Sequence, residues 1–537
     1  MFERTLHPDE ANQAITTGKL LETGKYVYQS HDHHGPTLYY AAAAIQKVGG
    51  NSTLAQMDEG LLRTTPLIAA IGALILLFLG VRRFVKSWVA SLSGVLLLAT
   101  SPIFVFYATD FIQEMILAFS LAIMFYSGVR YLTRQDGEKL KVGSWAIIFG
   151  FGSGLAFSTK ETCVISFASI VIGFTAMAFM TKGEWRKWSF KNRINDFILM
   201  TISFFLIAII FYSSFAIDFE GVRKVFIEAP LAYLQRASGS EASDGAANHI
   251  HEWWWYLKVL FCPESIHWSR FSTMPFMKAF TRTISTGWRF TEFPLLIAAL
   301  LPLFFTKFIG DKDRSVKFIY RFSLFYFLSL LLVYSLIPYK TTWCMLTVVQ
   351  AMALTASLGI AVIIRTVGIN KFIKPIVVLL ILSTVLPVHF RGVSFMCRVP
   401  DSTAIPYNYA QASYDVKNLT SRITEEIKDG EYAAIVLPAC DTWPIPWYVR
   451  KFAGNVGYWA DWESFKNVKM PKAPVCIVVL EKDAEKVRTQ FPEFTKEFSH
   501  TVRPGVFVRL FINRGESENS TSIHKDQLKK ENKDSKK

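Results

Sequence analysis

Charge is what this chain has least of. Asp, Glu, Lys and Arg make up only 19% of its 537 residues, while 51% are apolar. Soluble domains carry about a quarter charged residues, so most of this surface is not built for water. Cysteine is sparse as well. The six (Cys163, Cys262, Cys344, Cys397, Cys440, Cys476) are scattered with no CxxC pair. That spacing excludes a zinc or thiol-redox motif and leaves at most an occasional disulfide in an outer domain. No internal repeat is visible. Acidic residues are outnumbered and the net charge is +15. No basic face stands free of the apolar pattern, however, so nucleic acid is excluded as a partner.

What the chain has instead is long apolar runs. About ten occur after about residue 60, each near the ~20 residues needed to span a bilayer. They cover about 62–81, 87–107, 111–132 and 197–216, with a shorter run near 293–305. Others end near residues 158, 181, 337, 364 and 390. Phe (45) and Trp (14) are abundant, as expected where rings anchor helix ends at headgroups. Every second loop is rich in Lys or Arg: Arg82, Arg83 and Lys86, then Arg130 and Arg134, then Lys182 to Arg193, then Lys307 to Lys317, then Arg365 to Lys374. The positive-inside rule places these loops in the cytoplasm. The other polar segments then lie outside it. These are residues 1–60, the 108–112 turn, Thr159-Lys160-Glu161, the loop 217–290, Pro338-Tyr339-Lys340 and everything after Arg391. The expectation is a polytopic α-helical protein of the cell (inner) membrane. An outer N-terminal segment of this kind is expected either to cross as an N-tail or to follow a further, upstream span.

Four regions follow. Residues 1–60 form a first outer loop, 61–390 the membrane region, 391–513 a soluble domain and 514–537 a disordered tail of Lys, Glu, Ser and Asn. In the soluble domain the runs 431–437, 475–480 and 506–511 read as strands. They alternate with helical stretches at 414–428 and 484–491, which predicts a small α/β domain.

Charges on the outer side are few and sit near helix ends, where they are costly and usually functional. Asp9 and Glu10 open a helix predicted over 11–23, with Gly24 as its stop. They suit a helix N-terminus. A carboxylate there also serves as a general base or ligates a divalent cation, and both roles stay open. His31-Asp32-His33-His34 offers imidazoles, but neighbours in an extended loop point to different sides, so one ion is not expected to gather them. Asp110 and Glu114 lie four apart and share a helix face. Asp110 suits a cap, whereas Glu114 sits one turn into an apolar run and needs a polar partner. Lys160-Glu161 and Tyr339-Lys340 lie at outer helix ends, where a lysine either binds a lipid phosphate or snorkels to water. His251 to Lys258, with three Trp and a Tyr, reads as an interfacial helix.

These residues resemble those of GT-C glycosyltransferases. The resemblance is to the flippase-activity-associated protein family, related to family-39 protein mannosyltransferases and to the lipid A aminoarabinose transferase. It rests on His7-Pro8-Asp9-Glu10-Ala11, His34-Gly35-Pro36-Thr37-Leu38-Tyr39-Tyr40, Lys160-Glu161-Thr162 and Pro338-Tyr339-Lys340-Thr341-Thr342-Trp343, with Trp443 to Tyr448 and Val456 to Trp459 in the outer domain. It implies an inverting transfer of a sugar from a polyprenyl-phosphate donor to a hydroxyl of a lipid, glycan or protein acceptor. Asp9 and Glu10 would be catalytic. His34, Asp110, Glu114, Lys160, Glu161, Tyr339 and Lys340 would line the substrate. One departure stands out: Tyr107-Ala108-Thr109-Asp110 replaces an expected Tyr-Ser-Arg, which shifts any phosphate-binding role to Lys160 or Lys340. The alternative is a transporter or accessory protein for lipid-linked sugars. It fits less well, because transporters keep ionisable groups at the midplane and often show repeats.

Overall fold

The computed structural model describes the chain outside residues 1–3, 30–33, 134–141, 181–193, 239–248, 262–288, 311–312, 403, 409, 468–471 and 514–537. It divides into two compact units, Met1–Gln411 and Ala412–Lys537.

The first unit is helical. It opens with α1 (Pro8–Thr23) and α2 (Thr37–Val48). The chain then passes back and forth through α3 (Glu59–Val85), α4 (Trp88–Ala99), α5 (Pro102–Tyr107), α6 (Glu114–Leu132), α7 (Val142–Phe157), α8 (Cys163–Met180) and α9 (Ile194–Tyr212). After a short helical run come α12 (Trp255–Phe261), α13 (Phe293–Leu300), α14 (Arg314–Leu336), α15 (Met345–Arg365) and α16 (Ile373–Arg398). Seven helices among the described residues are long and apolar enough to cross a membrane. Three shorter apolar ones accompany them: Trp88–Ala99, Gly143–Phe157 and Phe293–Phe308. The apolar run at 87–107 is split, because Ser101 caps a new helix with Pro102 at its first position.

α15 is apolar on every side and buried along nearly its whole length, as a central helix must be. Small residues let its neighbours close in. Ser357 on α15 donates to the Ala90 carbonyl of α4 at 2.8 Å. A Cβ on Gly94 would stand 2.6 Å from the same hydroxyl. At one end of the bundle, Glu292 and His389 are fully buried with Oε2 and Nε2 2.9 Å apart. Ser101 donates to Glu292 Oε1 at 2.5 Å, and Thr100 meets His389 Nδ1 at 3.1 Å. This polar chain ties α4, α13 and α16 together.

Two expectations change here. α1 starts at Pro8, three residues earlier than predicted, because His7 rather than the acidic pair is its N-cap. In the Trp-rich segment Glu252 and Trp253 are exposed and Trp254 is half-buried, and only Trp255–Phe261 is α-helix, with its Trp255, Tyr256 and Lys258 buried in protein. Their hydrogen-bonding partners lie inside, as when the Tyr256 hydroxyl accepts from Thr341 N at 3.1 Å.

The second unit is a three-layer α/β domain. Its sheet runs β2-β1-β3-β5-β4, from β1 (Tyr432–Val436), β2 (Val456–Trp459), β3 (Pro474–Leu480), β4 (Lys496–Arg503) and β5 (Val506–Ile512). β2, β1 and β3 are parallel, while β5 and β4 are antiparallel additions. The helix Asp415–Ile427 covers one face with Val416, Leu419, Ile423 and Ile427. Trp462, Phe465 and Val487 cover the other. The free cysteines among the described residues are Cys163, Cys344, Cys397, Cys440 and Cys476.

Candidate functional site

The two neighbouring carboxylates of α1 have opposite environments, and the sequence fixes why. Pro8 starts the helix, His7 Nδ1 accepts from Asp9 N at 3.2 Å, and Glu10 folds back to accept from His7 N at 3.0 Å. This capping box turns Glu10 inward. Glu10 is fully buried, and its oxygens accept from Arg63 Nε (3.1 Å), Arg63 Nη2 (3.0 Å), Arg4 Nη2 (3.2 Å) and Phe111 N (2.9 Å). Burial alone would raise its pKa. The Arg63 and Arg4 guanidinium groups and their hydrogen bonds outweigh burial and hold it well below the usual carboxylate range. Arg4 Nη2 also donates to Asp110 Oδ1 at 2.6 Å, Arg63 Nη1 donates to the Arg4 carbonyl at 2.8 Å, and the Arg4 guanidinium lies 4.6 Å from the Phe106 ring. Burial and the Glu10 charge push Asp110 up. Two cations and two carboxyls thus share a buried network that takes up the lone pairs of Glu10, while Arg4 Nε and Nη1 are buried with no hydrogen-bond partner among the described residues.

Asp9 points the other way. Its side chain is 40% exposed, with Oδ2 3.5 Å from His7 Nδ1. It interacts electrostatically with His249: burial lowers the His249 pKa, and the Asp9 charge works against that. His249 brings a second strand of chain to the acid. Lys340 N donates to the His249 carbonyl at 2.8 Å and His251 N to the Pro338 carbonyl at 3.1 Å, so 249–251 and 338–340 form a short antiparallel bridge. The His249 and Tyr339 rings lie 5.1 Å apart. Lys340 is buried, donates to the Ile337 carbonyl and has its ammonium 5.7 Å from the Tyr256 ring. Burial lowers its pKa to about 8. Among the described residues, Lys340 forms no salt bridge to a carboxylate.

Lys160 is committed elsewhere. Its ammonium pairs with Glu114, both buried, and sits 5.5 Å over the Trp343 ring. Burial pulls the Lys160 pKa down, but Glu114 outweighs it and the net shift is upward. Glu161 next door pairs with His34, Oε2 to Nδ1 at 2.9 Å, and takes a hydrogen bond from Tyr233. Burial raises the Glu161 pKa, and His34 and Tyr233 bring it below normal. The His34 loop presses onto the 158–160 turn: Thr37 N donates to the Ser158 carbonyl at 3.2 Å, and a Cβ on Gly35 would come within 2.2 Å of that oxygen. Only glycine allows this approach.

The structure therefore brings Asp9, Glu10, His34, Asp110, Glu114, Lys160, Glu161, Tyr339 and Lys340 to one end of the first unit, in linked clusters. Sequence reasoning missed Arg4, Arg63, Tyr233 and His249. Arg63 had a signal, being a charge just inside the first apolar run. The others had none. Among the described residues no three His, Cys, Asp or Glu side chains gather as metal ligands, and His31, Asp32 and His33 lie outside those residues. A divalent cation at Asp9 would draw its remaining ligands from water, substrate or undescribed residues.

A bundle of apolar helices in the first unit, with a small α/β domain as the second, is the fold of GT-C membrane proteins. The structure of ArnT from Cupriavidus metallidurans bound to undecaprenyl phosphate is similar over 94% of this chain and 94% of that chain, with a TM-score of 0.58 and 13% sequence identity. The apo form of that protein gives 0.57, again at 13% identity and the same coverage. The Archaeoglobus fulgidus oligosaccharyltransferase tethered with an acceptor peptide gives 0.49 at 11% identity, over 95% of this chain and 70% of that one. By sequence, residues 33–212 match the family described as dolichyl-phosphate-mannose-protein mannosyltransferase. That segment carries His34, Asp110, Glu114, Lys160 and Glu161. No curated protein matches the chain.

Proposed function

We propose that this protein is a membrane glycosyltransferase that moves a sugar from a polyprenyl-phosphate donor to an acceptor hydroxyl on the extracytoplasmic face. The observation that carries the reading is the division of labour at α1: Glu10 is locked by Arg63 and Arg4, while its neighbour Asp9 stays accessible beside the His249–Lys340 bridge. In this scheme Asp9 accepts the proton of the acceptor hydroxyl. The hydroxyl oxygen attacks the anomeric carbon as the bond from that carbon to the phosphate oxygen breaks. One displacement inverts the configuration. The polyprenyl phosphate leaves with the extra negative charge, which Lys340 stabilises. Lys340 suits this role better than Lys160, whose charge is already balanced by Glu114. The ArnT structure, which holds undecaprenyl phosphate, supports the donor class.

Incubation of the purified protein with a panel of radiolabelled polyprenyl-phosphate sugars tests the reading. Loss of sugar from one of these lipids, dependent on Asp9, is the expected result. Binding without loss across the panel would favour a transporter or accessory role.

A further inference from the structure

The segment after α9 carries an apolar face that the proposed reaction does not use. α9 ends at Tyr212, and the chain turns through Ser214, Phe215 and Ala216, all with positive φ. Such a turn persists only where its surroundings hold it. Ser214 does so, accepting from Tyr26 N at 3.0 Å and donating to the Tyr26 carbonyl at 2.8 Å. A continuous helical run follows: α10 (Glu220–Arg223), a π-turn (Lys224–Glu228) and α11 (Ala229–Ser238). Its inward side is small. Gly221, Val225, Ala229 and Ala232 are buried, and a Cβ on Gly221 would stand 2.2 Å from the Tyr212 carbonyl oxygen. Its outward side is large and apolar: Ile227, Leu231 and Leu234 are 66%, 61% and 68% exposed, with Phe219 and Phe226 on the same face.

That face continues the bilayer-facing surface of α9. Phe226 lies 6.0 Å from Phe205 of α9, ring centroid to centroid, and stacks on Phe157 of α7 at 5.5 Å. Ile198, Ile202, Phe205 and Leu206 of α9 are exposed along an apolar span. Near the start of the run Arg223 bridges Glu220 and Glu228 at 2.6 Å each, which balances its charge beside the apolar residues. On the inward edge, Tyr233 meets the Tyr28 hydroxyl at 2.9 Å. The helix is thus fixed to the protein on one side and open to apolar surroundings on the other.

We propose that residues 219–234 form an interfacial helix seated in the membrane surface, with Ile227, Leu231 and Leu234 in the acyl layer of the leaflet where α9 ends. An apolar face of this size in water would be a liability. Its occupant is lipid, because the patch runs without a break into a membrane span.

Nitroxide labels on cysteines introduced at Ile227, Leu231 and Leu234 test this in lipid nanodiscs, with Cys397 and Cys440 replaced by Ser and the unlabelled parent's background subtracted. Ile202 on α9 gives the hydrocarbon reference and Lys19 on α1 the aqueous one. The expected result is oxygen access well above access to a water-soluble nickel chelate at all three sites, as at Ile202. Access matching Lys19 would overturn the proposal. So would labels shielded from both reagents with dipolar broadening, which would make the face a contact between two copies. The readout does not involve sugar transfer, so its failure is separate from failure of the proposed reaction.

Discussion

The Arg63 guanidinium grips the Glu10 carboxylate with two nitrogens, Nε at 3.1 Å and Nη2 at 3.0 Å, across 53 residues of sequence. This grip holds Glu10 in buried ion pairs, and the proposed reaction gives the base role to the exposed Asp9. Asp9→Asn should fold normally and lose sugar transfer by about 10²–10⁴-fold, the usual cost of one general base. Near-wild-type turnover by folded Asp9→Asn, measured with the labelled donor, would end the base assignment.

Glu10→Gln should fail differently. Removing the charge strands two buried guanidinium groups, and breaking a buried pair costs about 3–5 kcal/mol. A lowered unfolding midpoint in detergent is the signature. Arg63→Met should show it too. If Glu10→Gln melts like wild type but is inactive, Glu10 is a reacting group and the division of roles is wrong.

The two lysines can be separated by donor titration. Lys340→Gln should weaken donor binding at least about tenfold, since a charge-assisted hydrogen bond is worth roughly 1.5–3 kcal/mol. Lys160→Met alone should chiefly destabilise, by leaving Glu114 buried and alone. The double change Lys160→Met with Glu114→Leu should recover much of that loss, because an apolar pair of similar volume often replaces a buried ion pair without penalty. Equal donor affinity in wild type and Lys340→Gln would remove Lys340 from the phosphate site.

Burial sets the pH response of Lys340. Its pKa is lowered to about 8 from the ordinary 10.5, so the ammonium is present below that pH and is lost as pH rises through it. Donor binding should therefore be flat below pH about 7.5 and weaken above about 8, and Lys340→Arg should abolish the weakening because arginine stays protonated. An identical alkaline fall in the Arg variant would point to another group.

Topology is open to direct labelling. A cysteine at Ser52, and one at Ser421 in the second unit, should react with an impermeant maleimide in intact cells. Reaction at Ser52 only after permeabilisation would place the α1 acids on the cytoplasmic side and contradict the positive-inside reading.

The spans were legible because apolar length is a local property of sequence. The break at Ser101-Pro102 could be read only once α5 had a separate cap. In the second unit, the three predicted strands are β1, β3 and β5, the central and apolar ones. β2 and β4 escaped notice because they are the two edges of the sheet. β2 has four residues, and β4 reads Lys-Glu-Phe-Ser-His-Thr-Val-Arg, polar as edges tend to be. At the site, Glu114 announced that it needed a partner, but nothing in the sequence said that Lys160, 46 residues on, would supply it. Nor did Asp110 reveal Arg4, 106 residues before it. Local pattern shows which charges are costly, and only the tertiary fold shows how they are matched.

The linked set of Arg4, Glu10, Arg63 and Asp110 carries a constraint on change through time. Arg63 and Arg4 share Glu10, and Arg4 also holds Asp110, so any single replacement strands a buried polar partner in a dry interior. Substitutions at these four positions should be inherited in compensating pairs, and a relative with an apolar residue at 63 should have given up its acid at 10. Under the proposed reaction, position 9 lies outside that set and should hold an acid whether or not the other four have drifted.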